Sequence, residues 1–197
     1  MNNIDMKNYR HADYPIDDIY VNRWSPRSFE DKEVPKDVLH SLFEAARWAP
    51  SSANVQPWRF VYATSTEDKQ KFLSFLNDGN KIWCKDAPVL VVILGQKKWK
   101  VGGRDINPTY QFDTGTAWGY LALEATRKGL FAHGMGGFDR DKVREDLNIS
   151  DEFDVIAMIA IGYHGKKENL PEGLQEREVP SGRKTIEEFA TEGVFKE

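Results

Sequence analysis

Two short stretches of the chain carry side chains suited to holding a phosphorylated ligand. In Arg23-Trp24-Ser25-Pro26-Arg27-Ser28-Phe29, two arginines alternate with serines. Guanidinium forks bind phosphate oxygens through paired, charge-assisted hydrogen bonds, and a serine hydroxyl adds a donor between them. The second stretch is Ala49-Pro50-Ser51-Ser52-Ala53-Asn54-Val55-Gln56-Pro57-Trp58. It carries no charge, but its Ser, Asn and Gln side chains offer neutral donors and acceptors. Together the two suit a ligand with a phosphate at one end and a flat, polar-edged ring at the other. Flavin mononucleotide (FMN) answers that description, and so do other nucleotides. Taken alone, Arg-x-Ser-x-Arg reads as readily as a solvated pair facing Asp17, Asp18 or Glu30. The second stretch reads also as a helix-terminating turn, which accounts for Ser51 and Ser52 but poorly for Gln56-Pro57-Trp58.

The elements that must position these residues alternate between helix and strand. Pro35 followed by Val38, Leu39, Leu42, Phe43, Ala45, Ala46 and Trp48 predicts an amphipathic helix stopping at Pro50. Trp58 to Ala63 alternates as a strand, and Ser65 or Thr66 caps a helix carrying Phe72, Leu73, Phe75 and Leu76. Pro88 to Leu94 is a continuous apolar run, a strand buried on both faces. Gln96 to Pro108, basic and glycine-containing, reads as a loop, its Lys97, Lys98, Lys100 and Arg104 solvated and its Gly102-Gly103 lacking a phosphate-loop pattern. Phe112 to Lys128 predicts a helix with a left-handed stop at Gly129. A short strand follows over Phe131 to Gly137, then an Asp139-capped helix with Val143 and Leu147 inward, then a strand over Val155 to Tyr163. After His164 the chain turns polar, yet Ile186, Phe189 and Val194 are apolar residues near a terminus.

Composition bounds the function. A chain of 197 residues predicts one domain, 1–197, with residues from about 165 onward as an extended carboxy-terminal arm. A net charge of −4 argues against a general nucleic-acid binder or a binder of anionic membranes. The longest apolar run, Ala87 to Leu94, is too short to span a bilayer. The single cysteine, Cys84, cannot form an intrachain disulfide, and the first eight residues have no apolar signal region, so a cytoplasmic location is expected. His11, His40, His133 and His164 are scattered without metal-ligand spacing, so no metal is expected.

The ordered motifs resemble the nitroreductase family of flavin-dependent oxidoreductases. Arg23-x-Ser25-x-Arg27-x-Phe29 is similar to its amino-terminal signature and Ala49 to Trp58 to its second. Asp86-Ala87-Pro88, Gly134 to Asp139 and Arg183-Lys184 follow in order. The resemblance spans about residues 21 to 189. It implies an α+β fold, a mainly antiparallel central sheet flanked by helices, with the carboxy-terminal arm exchanged in a homodimer. By position in the motifs, Arg23, Ser25 and Arg183, with Lys184, would hold the FMN phosphate. Arg27 would sit beside the pyrimidine edge of the ring, where a cation stabilises charge gained on reduction. Pro50, Ser51, Ser52, Asn54 and Gln56 would reach FMN held mainly by the other subunit. Met135, Gly136 and Gly137 would run along the central ring, and Asn80 would contact its pyrimidine end. Trp24 stands where many relatives carry a basic residue or histidine, and Gly136 where many carry a larger or acidic one.

The activity so implied takes hydride from NADH or NADPH onto flavin N5. It then passes electrons, by alternating half-reactions, to a small oxidised acceptor such as a nitroaromatic or quinone. No side chain is required as a catalytic acid or base. The alternatives are reductive dehalogenation, flavin fragmentation or azoline oxidation on the same scaffold, or a protein that stores FMN without turnover.

Overall fold

The computed structural model describes residues 4–101 and 104–195. The apolar runs form a four-stranded antiparallel sheet of β1 (Trp58–Ala63), β2 (Val89–Gln96), β5 (Phe131–Met135) and β6 (Phe153–Gly162), in the order β1-β2-β6-β5. Because side chains alternate across a strand, the β2 run serves two cores at once. Leu90, Val92 and Leu94 face one, with Phe72, Phe75 and Trp83. Val89, Val91 and Ile93 face the other, with Leu39, Leu42, Ala117 and Leu121. Met158 and Ala160 against Ile159 and Ile161 repeat the division on β6.

Helices cover both faces. On the second face lie α2 (Lys36–Arg47) and α5 (Tyr110–Arg127), packed on each other. On the first lie α3 (Thr66–Phe75), α4 (Asp78–Cys84) and α6 (Arg140–Asp146). Their ends follow the expected chemistry. Ser65 accepts from Asp68 N, Asp139 accepts from Lys142 N, and Gly129 takes φ +73° after α5. Two short helices, α1 (Asp18–Asn22) and α7 (Glu172–Gln175), flank the domain.

Two departures from the sequence reading stand out. The stretch read as a loop contains a hairpin, β3 (Lys98–Val101) with β4 (Arg104–Ile106), paired Lys98↔Ile106 and Val101↔Arg104. Gly102 and Gly103 lie outside the described residues, as do the side chains of Lys100 and Arg104. Helix α4 was hidden because seven residues hold less than two turns of periodicity, although Asn77 caps it by accepting from Asn80 N. The tail packs on its own domain as far as Pro180, with Leu170 in the first core and Glu178 buried. Residues 181–195 are exposed throughout, with Phe189 68% and Phe195 85% accessible.

Candidate functional site

The first motif leaves α1 in extended conformation and crosses β5, so its side chains meet those of the carboxy-terminal strap. Arg23, Trp24, Ser25, Arg27 and Arg183 line one cavity of about 320 Å³. The fold adds Arg10, His133, Arg177 and Ser181 to the same wall. Among the described residues none of these five arginines comes within ion-pair distance of a carboxylate, so the alternative of a surface pairing with Asp17, Asp18 or Glu30 is not formed. The cations sense one another instead. Burial and then repulsion from Arg183 hold the Arg23 guanidinium below its ordinary value, and Arg10 is lowered by burial, Arg183 and Arg23. Guanidinium stays charged regardless. A concave wall of guanidinium groups, none of them ion-paired among the described residues, has the chemistry to hold an anion.

Two features fix this wall. The strap is anchored by Glu178, 3% exposed, whose carboxylate accepts from Arg27 N at 2.9 Å and Ser28 N at 2.8 Å. Its neighbours Arg177 and Val179 thereby face the cavity. His164 Nε2 lies 3.3 Å from Glu178 Oε1 but lacks hydrogen-bond alignment, so the two amides carry the clamp. Burial pushes the Glu178 carboxyl up, yet nearby His164 and the amides of Ser28 and Arg27 outweigh it, and the net direction is downward. The second feature is His133, whose Nδ1 lies 2.8 Å from Pro26 O. A carbonyl only accepts, so Nδ1 carries the proton and Nε2 keeps its lone pair in the neutral ring. Burial, then Arg27 and Arg23, hold this imidazole below its usual value against the opposing pull of Pro26 O and Glu178.

Trp24 contributes to the wall as an apolar body. It is 4% exposed, edge-on to Phe131 and to His164 at 6.1 and 5.2 Å between ring centres. That packing explains how a tryptophan occupies this position without a charge to offer.

Helix α4 links the cavity to the glycine turn after β5. Trp83 packs on the His133 ring at 4.6 Å, and one turn earlier Asn80 Nδ2 donates to Gly137 O at 3.0 Å. His133 and Gly137 are four residues apart, no more than about 14 Å of chain. Met135 between them is buried, with Cys84 Sγ 3.2 Å from its sulfur. The two adjacent glycines differ in kind. A Cβ on Gly137 would collide with Asn77 Nδ2 and lie 2.9 Å from Asn80 Nδ2, so a larger residue there would have to displace these two side chains. A Cβ on Gly136 would meet nothing within 4 Å.

The second motif lies apart from the arginine cavity in the same chain. None of residues 50–56 lines it. This segment is a strained turn, with Ala53, Asn54 and Gln56 at φ 49°, 55° and 51°. Left-handed backbone at such residues costs about 1–3 kcal/mol each, least for Asn. The turn is held by Ser52 N donating to buried Asp113 Oδ2 at 3.2 Å and Gln56 N donating to Ser51 Oγ at 3.0 Å. Ser52, Asn54, Gln56 and Pro50 remain exposed. Lys184 is exposed and does not line the cavity.

Sequence reasoning missed Arg10, His133, Arg177, Ser181 and Glu178. Arg10 and Ser181 are joined across 171 positions, and Glu178 and Ser28 across 150, separations that no local pattern reports.

Comparison with known proteins places this geometry in context. A family model described as the nitroreductase family matches residues 20–82 and 74–163. A Stenotrophomonas maltophilia protein with the provisional name NADH dehydrogenase/NAD(P)H nitroreductase is 30% identical over 165 residues, which cover 75% of this chain and 84% of that one. A crystal structure described as an oxidoreductase containing FMN superimposes with a TM-score of 0.91 at 43% identity, covering 95% of this chain and 96% of that one. A nitroreductase family protein from Clostridium difficile 630 gives a TM-score of 0.70 at 26% identity, over 90% and 98%.

Proposed function

The chain belongs to the nitroreductase family, and on that footing we propose that it is an FMN-dependent oxidoreductase drawing electrons from NADH or NADPH. The observation that carries the reading is the uncompensated arginine cavity, which the FMN phosphate would fill. Arg23 and Arg183 would hold that phosphate, with Ser25 as a further donor. Arg27, its backbone pinned by Glu178, would present its cation to the ring edge. Asn80 steadies the Gly137 carbonyl, so the turn at Met135, Gly136 and Gly137 would offer the ring a fixed backbone edge. When bound, FMN supplies two-electron transfer between nicotinamide and a small oxidised acceptor of the nitroaromatic or quinone type. The protein supplies binding, orientation and field.

The strained turn at Pro50, Ser51, Ser52, Asn54 and Gln56 does not line its own cavity. It would therefore serve the site of a second copy. The exposed Ile186, Phe189, Val194 and Phe195 agree with an arm that a partner subunit covers, since apolar residues left in water along a whole terminus lack a stabilising contact. This makes the active form a homodimer of single-domain chains with exchanged arms. Among the described residues no helix is long and apolar enough to cross a membrane, and a cytoplasmic location fits the reading. The test is reconstitution. Protein stripped of cofactor and mixed with FMN should carry about one flavin per chain through gel filtration at the mass of a dimer, as a site shared in a two-fold assembly requires. Retention of no flavin contradicts the reading.

A further inference from the structure

Arg10 lies ahead of the residues that the family model matches and outside both motifs. Its Nε donates to Ser181 O at 2.8 Å, and its Nη1 donates to Val21 O at 2.9 Å and Arg23 O at 2.7 Å. One guanidinium thus ties together the amino-terminal arm, the segment after α1 and the carboxy-terminal strap. Among the described residues Nη2 has no hydrogen-bond partner, and the residue lines the arginine cavity.

We propose that Arg10 is a third phosphate-binding guanidinium of the FMN site, beside Arg23 and Arg183, and that phosphate binding fastens the amino-terminal arm to the carboxy-terminal strap. The inference rests on the FMN reading and extends it to a residue in the arm. Three cations from three segments face one another across the cavity, and Arg10 and Arg23 are each lowered first by burial and next by Arg183. A phosphate dianion among them replaces repulsion with charge-assisted hydrogen bonds. The phosphate, not the ring, then tightens the joint between arm and strap that Arg10 and Ser181 already make.

The experiment compares FMN with riboflavin, which lacks the phosphate, by quenching of flavin fluorescence on the full-length protein. Wild type should prefer FMN. Arg10→Ala should lower FMN affinity about 10- to 150-fold while leaving riboflavin affinity unchanged. Arg10→Lys, which keeps the charge and loses the planar fork, should fall between. In limited proteolysis, FMN but not riboflavin should protect the segment before α1, and Arg10→Ala should lose that protection. An Arg10→Ala protein whose FMN affinity stays within twofold of wild type overturns the proposal. So does an equal loss for both flavins, the sign of a purely structural role. Wild type that binds neither flavin defeats the FMN reading itself, whatever the variants do.

Discussion

Glu178→Ala is expected to destabilise the protein by about 3 kcal/mol at neutral pH, because it strips the acceptor from two amides at once. Ser28 is buried and, among the described residues, its N–H makes no other hydrogen bond. A buried donor left unpaired costs about 1–3 kcal/mol, and the Arg27 amide adds a second contribution. Glu178→Gln keeps the shape and one acceptor oxygen, so its loss should be smaller. The pH dependence separates the two further. The folded carboxyl is held below its unfolded value, so its stabilisation is fully present above about pH 4.3, the ordinary glutamate value, and fades as pH falls through the folded value. Denaturant unfolding at neutral and acid pH should show this loss in wild type and not in Glu178→Gln. An alanine variant within about 0.5 kcal/mol of wild type would remove Glu178 from its place as anchor of the strap.

Arg23→Ala is expected to lower FMN affinity by about 10- to 150-fold, the range for one lost charge-assisted contact to phosphate. Riboflavin affinity should stay near the wild-type value. The stability of the cofactor-free protein should move the other way or not at all, since removing one cation relieves Arg10 and Arg183. Sites that hold uncompensated charge are kept for binding at some cost to the fold. Titration with each flavin, together with thermal unfolding of the stripped protein, checks both halves. A cofactor-free variant that melts well below wild type, with equal loss of both flavins, would make Arg23 a structural residue.

The sheet was legible because period-two burial is written directly into β2 and β6, where adjacent apolar residues supply opposite cores. Caps at Ser65 and Asp139 and the stop at Gly129 were equally local and equally visible. Helix α4 and the β3–β4 hairpin were hidden, the first by brevity and the second by basic, glycine-containing composition that reads as loop. The site divided in the same way. Arg23, Ser25, Arg27 and Arg183 could be named from motif position, and the fold brings them to one cavity. His133 looked like one of four scattered histidines until Pro26 O fixed its ring. Glu178 was one of many acidic residues in a polar tail, distinguished only by the backbone amides it meets far away in sequence. Gly136 and Gly137 are indistinguishable as letters. Only the placement of Asn77 and Asn80 shows that a side chain on the second would have to displace its neighbours and one on the first would not.

The proposed activity is nicotinamide-dependent electron transfer through bound FMN. Its most direct test is the visible spectrum of the FMN-loaded protein under anaerobic conditions, before and after adding NADH or NADPH. The expected result is bleaching of the flavin band by at least one of them, with recovery on adding a quinone or nitroaromatic. A flavin band that stays oxidised with both nicotinamides would contradict the account and leave a protein that holds FMN without turning it over.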